Sequence, residues 1–148
     1  MKRLFATSDS WPQLIARLAL GVVMFPHGAQ KVFGWFGGPG FGKALETFTT
    51  VMHIPALLAV LVIAAESLGA VGLVVGFLVR IAAFGILCDM LGAIGMVHAK
   101  NGFFMNWTGK QAGEGFEYHL LAIGLSLAVL IGGAGRWSVD REIDKRLS

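Results

Sequence analysis

The sequence predicts an all-α fold, a polytopic membrane protein built as a four-transmembrane-helix bundle. Two observations carry this. Hydrophobic residues make up 55% of the 148 and charged residues only 14%, where a soluble domain carries about 25% charged. A chain this short cannot hide the shortfall in a large core, and its mean hydropathy is +0.70. The apolar residues are also gathered into runs long enough to cross a bilayer, whose hydrocarbon core takes roughly 20 residues of helix. One such run, Ile54 to Val79, has a single carboxylate, Glu66, near its middle.

The first expected span is residues 11–33, which contain Arg17, Pro26, His27, Gln30 and Lys31. The second is 55–79 with Glu66, the third 81–99 with Asp89, and the fourth 116–134. Backbone groups in lipid must bond within their own segment, so these spans are helices. They neither alternate nor are short enough for barrel strands. Leu78-Val79-Arg80 reads as a tight hairpin between the second and third spans. The two longer loops, about 34–53 and 100–115, fall on the same side and are rich in glycine and aromatics, which favour the headgroup region. They are expected to fold as a lid, helical in part from Gly42 to Met52. The whole of 1–148 reads as one domain ending in a short, charged, solvated tail, 136–148.

Lys2, Arg3, Arg80, Arg136, Arg141, Lys145 and Arg146 fall on one side, and Lys43, Lys100 and Lys110 on the other. Basic residues mark the cytoplasmic side, so both termini are expected there, in a cell inner membrane. The first apolar run is long and no cleavage site follows it, so no cleavable signal is expected. Spacings such as Ala65-x-x-x-Gly69 and Gly124-x-x-x-Ala128-x-x-x-Gly132 allow close helix packing, within the chain or in a homo-oligomer.

The polar residues inside these runs are the candidate site. At about 100° per residue, Arg17, Gly21, Met24, Gly28 and Lys31 share a stripe. Ala59, Val62, Glu66, Ala70 and Leu73 form a second, and Ala82, Gly85, Asp89, Gly92 and Met96 a third. A carboxylate at mid-membrane is costly, about 2.5–3.5 kcal/mol on insertion scales, so Arg17 is expected to reach inward to Glu66 or Asp89. Pro26 has no N–H to donate to the Val22 carbonyl and should kink the first helix beside His27. His27, Lys31, Asn101 and Glu117 are then expected to line one outward-facing pocket beneath the lid, or else to staple helix ends.

Several chemistries drop out. The lone Cys88 allows no internal disulfide or CxxC pair and reads as a buried small hydrophobe. No basic patch for nucleic acid and no zinc or nucleotide motif is present, so no metal ligands are assigned. Two of His27, His98 and His119 could in principle ligate haem, but His98 lies about 180° from Asp89 and His119 about 200° from Glu117. That disfavours haem and places both imidazoles away from the site.

The residues Arg17-Leu18-Ala19-Leu20-Gly21, Pro26-His27-Gly28-Ala29-Gln30-Lys31, Ala65-Glu66, Asn101-Gly102-Phe103-Phe104 and Gly115-Phe116-Glu117-Tyr118-His119 resemble the DoxX family of small membrane proteins. The resemblance covers nearly the whole chain. It implies a subunit tied to quinone-coupled redox or oxidative-stress complexes, with a redox protein as partner, and distant relatives look like membrane chaperones. Asp89 is outside those motifs. The expected function is a membrane subunit that binds a quinone or other small lipophile among lipids. His27 and Lys31 would contact a carbonyl or anionic group, Glu66 and Glu117 would handle protons, and Arg17 would be the counter-charge. Quinone is the only cofactor that the resemblance points to, and no residue is singled out as catalytic. A scaffold or chaperone role, or a small transporter, are the alternatives.

Overall fold

The computed structural model describes residues 2–147. Met1 and Ser148, the two ends of the expected domain and tail, lie outside the described residues. Every regular element among the described residues is helical. Short α1 (Lys2–Phe5) precedes α2 (Trp11–Phe33), which starts on the Ser10 hydroxyl as N-cap and stops at Gly34, whose φ is 71°. A left-handed glycine is the usual way to close a helix end. α2 continues as one helix through Pro26. α3 (Gly40–Glu46) and a following π turn (Thr47–Val51) form the first loop's helix. α4 (Ala56–Val75) and α5 (Val79–Asn101) are long and apolar enough to cross a membrane. α6 (Glu117–Gly132) is shorter, and α7 (Val139–Leu147) ends the chain.

Helices α2, α4, α5 and α6 pack around one core of Leu20, Met24, Leu73, Ala83, Ile86 and Val129, each 4% exposed or less. Their outward faces are apolar too. Ile15 and Val22 on α2, Leu61 and Leu68 on α4, Phe84 and Leu91 on α5, and Leu121 on α6 are all more than half exposed. Each of the first three pairs is seven residues apart, two helical turns, so each helix shows a continuous apolar stripe outward. Soluble proteins rarely leave contiguous apolar surface of this kind uncovered. This is a membrane protein with at least two long apolar helices.

The span boundaries shift for identifiable reasons. α4 ends at Val75, not residue 79, because Gly76 turns left-handed at φ 80°. A Cβ there would come within 2.7 Å of Ser138 Cα, so glycine also permits the tail to pass close. The hairpin is therefore 76–78, and Val79 and Arg80 belong to α5. That helix can start so early because its N-cap comes from far along the chain. Asp140 accepts from the N–H groups of Leu78 at 2.8 Å and Val79 at 3.0 Å, supplying acceptors for helix donors that have none of their own. Asp140 is 1% exposed, so the expected solvated tail is instead anchored. Burial pushes its carboxyl above the usual range, and the two backbone donors with Arg17 and Arg80 oppose that push.

Arg17 does not reach Glu66 or Asp89. It is 1% exposed and donates to five backbone carbonyls: Leu73 and Val74 at the end of α4, both at 2.7 Å, and Ala134, Arg136 and Trp137 beyond α6 at 2.8, 3.1 and 2.7 Å. The last carbonyls of a helix lack intrahelical donors and carry partial negative charge, so a guanidinium fits there without any carboxylate. Arg80 acts likewise, donating to Leu130, Ile131 and Ala6 carbonyls.

Arg17→Leu should therefore cost about 3–5 kcal/mol of stability, since it leaves several buried acceptors unpaired. Thermal unfolding of the detergent-solubilised protein measures this. Adding Glu66→Gln or Asp89→Asn should restore nothing, because neither carboxylate is a partner of Arg17; restoration by either would overturn the assignment. Asp140→Ala should cost about 1–2 kcal/mol as a lost N-cap.

Candidate functional site

Two glycine contacts bring three helices together at one level. At Gly28 of α2, an added Cβ would lie 2.6 Å from Ser67 Cα and from the Glu66 carbonyl carbon, so only glycine lets α2 lie directly on the α4 backbone there. At Gly85 of α5, an added Cβ would meet Ala65 Cβ at 3.0 Å. In each case a charged residue follows about one turn later on the same face. Lys31 follows Gly28, and Asp89 follows Gly85.

Between them sits Glu66, 6% exposed, inside a π turn of α4, Ala65–Gly69. Such widened turns recur at functional sites because they re-aim side chains. The Lys31 ammonium pairs with Glu66 Oε2, and the Asp89 carboxyl lies within hydrogen-bonding reach of the Glu66 carboxyl. The buried carboxylate's counter-charge is thus Lys31, from the C-terminal end of α2, and not Arg17.

α6 closes the site. Tyr118 donates its hydroxyl to Met24 Sδ at 3.5 Å, and its ring lies 6.2 Å from that of His27. His119 is buried, and its ring lies 4.2 Å from that of His98. His98 was expected on the far side from Asp89. It ends a third π turn, Ile94–His98, whose extra residue rotates the helix face back. His98 Nδ1 lies 2.8 Å from the Glu114 carbonyl oxygen.

These residues line a cavity of about 1390 Å³ along α4 and α5. It reaches from Phe77 and Leu78 at the hairpin to Phe48, Met52 and Met105 under the two long loops. Its rim includes Leu61, Leu68, Ile81 and Phe84 from the exposed apolar stripes, so it opens sideways toward lipid. His27, Lys31, Glu66, Asp89, Tyr118 and His119 give it a polar region, with His98 and Glu114 at the rim, in a mostly apolar wall. All five described methionines and Cys88 also line it. Cys88 is exposed to this groove and is not the buried hydrophobe expected.

Of the residues proposed from sequence, His27, Lys31, Glu66 and Asp89 meet at this cavity. Asn101 and Glu117 do not line it. Asn101 Nδ2 donates to the Glu114 carbonyl at 3.0 Å. Glu117 Oε1 accepts from the Met105 N–H at 2.9 Å and Trp107 Nε1 at 2.8 Å. Both tie down the loop between α5 and α6. The helical offset that set His119 opposite Glu117 was real, but the inward-facing member of the pair is His119. Among the described residues no group of three His, Cys, Asp or Glu side chains is arranged to hold a metal.

The DoxX family profile matches residues 13–99, more than half of the chain. The chain belongs to the DoxX family. That span holds Lys31, Glu66 and Asp89 of this DoxX protein, while Tyr118 and His119 lie beyond it. An uncharacterized membrane protein of Mycobacterium tuberculosis is 30% identical over 163 aligned residues, covering 95% of this chain and 93% of the relative. No solved structure matches the DoxX chain.

The Lys31–Glu66 pair should be energetically coupled. Lys31→Met leaves a buried carboxylate without its cation, and Lys31→Met with Glu66→Gln should be more stable than the two single losses added together, by about 1 kcal/mol or more. A double-mutant cycle on thermal unfolding measures it, and strict additivity would sink the pairing. Gly28→Leu should separate α2 from α4 and lower stability by about 1–3 kcal/mol through overpacking.

Proposed function

We propose that this protein is an inner-membrane subunit that crosses the bilayer four times and holds a small lipophile, with a quinone as the preferred ligand, in support of a redox partner. One observation carries the reading: a lipid-facing apolar groove leads to a single polar cluster, His27–Lys31–Glu66–Asp89, centred on the buried Glu66. Ligand sites are commonly apolar clefts with a few convergent polar groups. A membrane-soluble molecule enters such a groove from the bilayer without crossing water.

Lys31 and the imidazoles supply donors for a ring carbonyl, and Glu66 and Asp89 supply positions for a proton. The methionine-lined wall adapts to flat rings through soft sulfur contacts. α2 and α6 complete the four spans in this reading, α6 being 16 residues, about 24 Å. Both termini lie in the cytoplasm, where the basic residues gather.

Topology is checked on a Cys88→Ser background. Gly38→Cys and Lys110→Cys should label from outside intact cells, and Lys145→Cys only after lysis; labelling of Lys145→Cys alone would invert the orientation. Ligand binding is checked by titrating a quinone analogue into purified protein beside thermal melting. His27→Ala should weaken binding by about tenfold, the value of a hydrogen bond of roughly 1.4 kcal/mol, with near-normal melting. Glu117→Gln should lower melting, because it frees the Met105–Trp107 loop, with little change in affinity. Unchanged binding in His27→Ala would remove His27 from the site.

A further inference from the structure

The polar end of the groove is unbalanced in charge. α2 brings one ammonium, Lys31, while α4 and α5 bring two carboxyl groups, Glu66 and Asp89. Arg17 and Arg80 are committed to carbonyls elsewhere. The other titratable groups on this cavity are His27 on α2, Cys88 on α5, and Tyr118 and His119 on α6, with His98 and Glu114 at the rim. None adds a fixed positive charge. With Lys31 on Glu66, the cluster reaches neutrality only if the two carboxyls share one proton, and burying an uncompensated charge is expensive.

Two buried atoms here lack donors or acceptors among the described residues. Asp89 Oδ2 accepts no hydrogen bond apart from the proton that the two carboxyls share. His119, 6% exposed and on the cavity wall, has an Nδ1 without a partner. A neutral imidazole carries one donor and one acceptor nitrogen, so His119 takes either kind of ligand. The Asp89 position suits a ligand that donates. A quinone carbonyl brings acceptors only and leaves Asp89 as it is. A protonated amine brings several donors and a positive charge, and its apolar body suits the surrounding wall.

We propose that the groove takes a lipophilic amine in its protonated form, its ammonium on Asp89, in exchange for the proton shared by Glu66 and Asp89. The step balances: R–NH3+ enters, the proton leaves to solvent, and the carboxyl pair passes from one negative charge to two. Net buried charge is unchanged. The inference rests on the groove's binding lipophiles and goes beyond the proposed function in the head group that it selects.

Octylamine and its neutral counterpart octanol, titrated calorimetrically into the purified full-length protein, test this. Octylamine stays protonated across the range used, about pH 5.5–7.5, as a lysine amine does. It should bind at least about tenfold more tightly than octanol at the upper end. Its affinity should rise by up to about tenfold per pH unit, with close to one proton released per amine, read from the dependence of the heat on buffer ionisation. Asp89→Asn should abolish both the preference and the release, and Asp89→Glu should keep them, with melting followed beside binding. Absence of proton release in wild type overturns the proposal without recourse to any variant. So does pH dependence that survives in Asp89→Asn, which would assign it to the imidazoles. Equal binding of amine and alcohol overturns the charge selection and leaves the lipophile groove standing, whereas binding of neither, nor of the quinone analogue, removes the groove reading itself.

Discussion

Buried helix ends are the constraint on which this structure depends. A carbonyl at the end of a helix has no donor in its own segment, and an apolar medium supplies none. At the cytoplasmic end as proposed here, two helices stop and the chain turns back near the same point. Arg17 meets both demands with one side chain, joining the α4 end to the segment after α6. Arg80 and Asp140 complete the arrangement, one donating to carbonyls and the other accepting from N–H groups. The tail helix is thereby part of the fold and not an appendage.

The two ends of the bundle use charge differently. At the Arg17 end, ionic groups meet backbone dipoles and leave little over for a ligand. At the Lys31 end, ionic groups meet each other, side chain to side chain, next to an open groove. Charge paired with backbone fixes geometry, because the backbone has nowhere to move. Charge paired with mobile side chains and a shared proton can be rearranged when a molecule arrives. That contrast, more than the presence of any one residue, separates the structural polar cluster from the candidate functional one.

Much of this was legible in the sequence. Composition and run length gave the helical membrane class, and helical spacing put Lys31, Glu66 and Asp89 on inward faces. The pairing was not legible, because Arg17, Lys31, Glu66 and Asp89 admit several combinations and the choice depends on where helices end. The cap on α5 comes from Asp140, some sixty positions away, and no local pattern announces it. His98 was misplaced because a constant rotation per residue was assumed through a stretch where the helix widens. Asn101 and Glu117 lie at the same end of the helices as the cluster, but nearness along the axis does not reveal that their side chains hold the loop between α5 and α6.

The widened turn at Ala65–Gly69 has a consequence for how the chain tolerates change in length. It holds one residue more than a regular helix would place in that turn, so the two halves of α4 are out of phase with each other by design of the count. Deleting one residue there would let the backbone bonds become regular and the segment more uniform. It would also turn everything on one side of the deletion by about 100° relative to the other, carrying either Glu66 away from Lys31 or Leu73 out of the core. Local helix quality and global fit are opposed at this one place, and a shorter α4 would be the better helix in the worse protein.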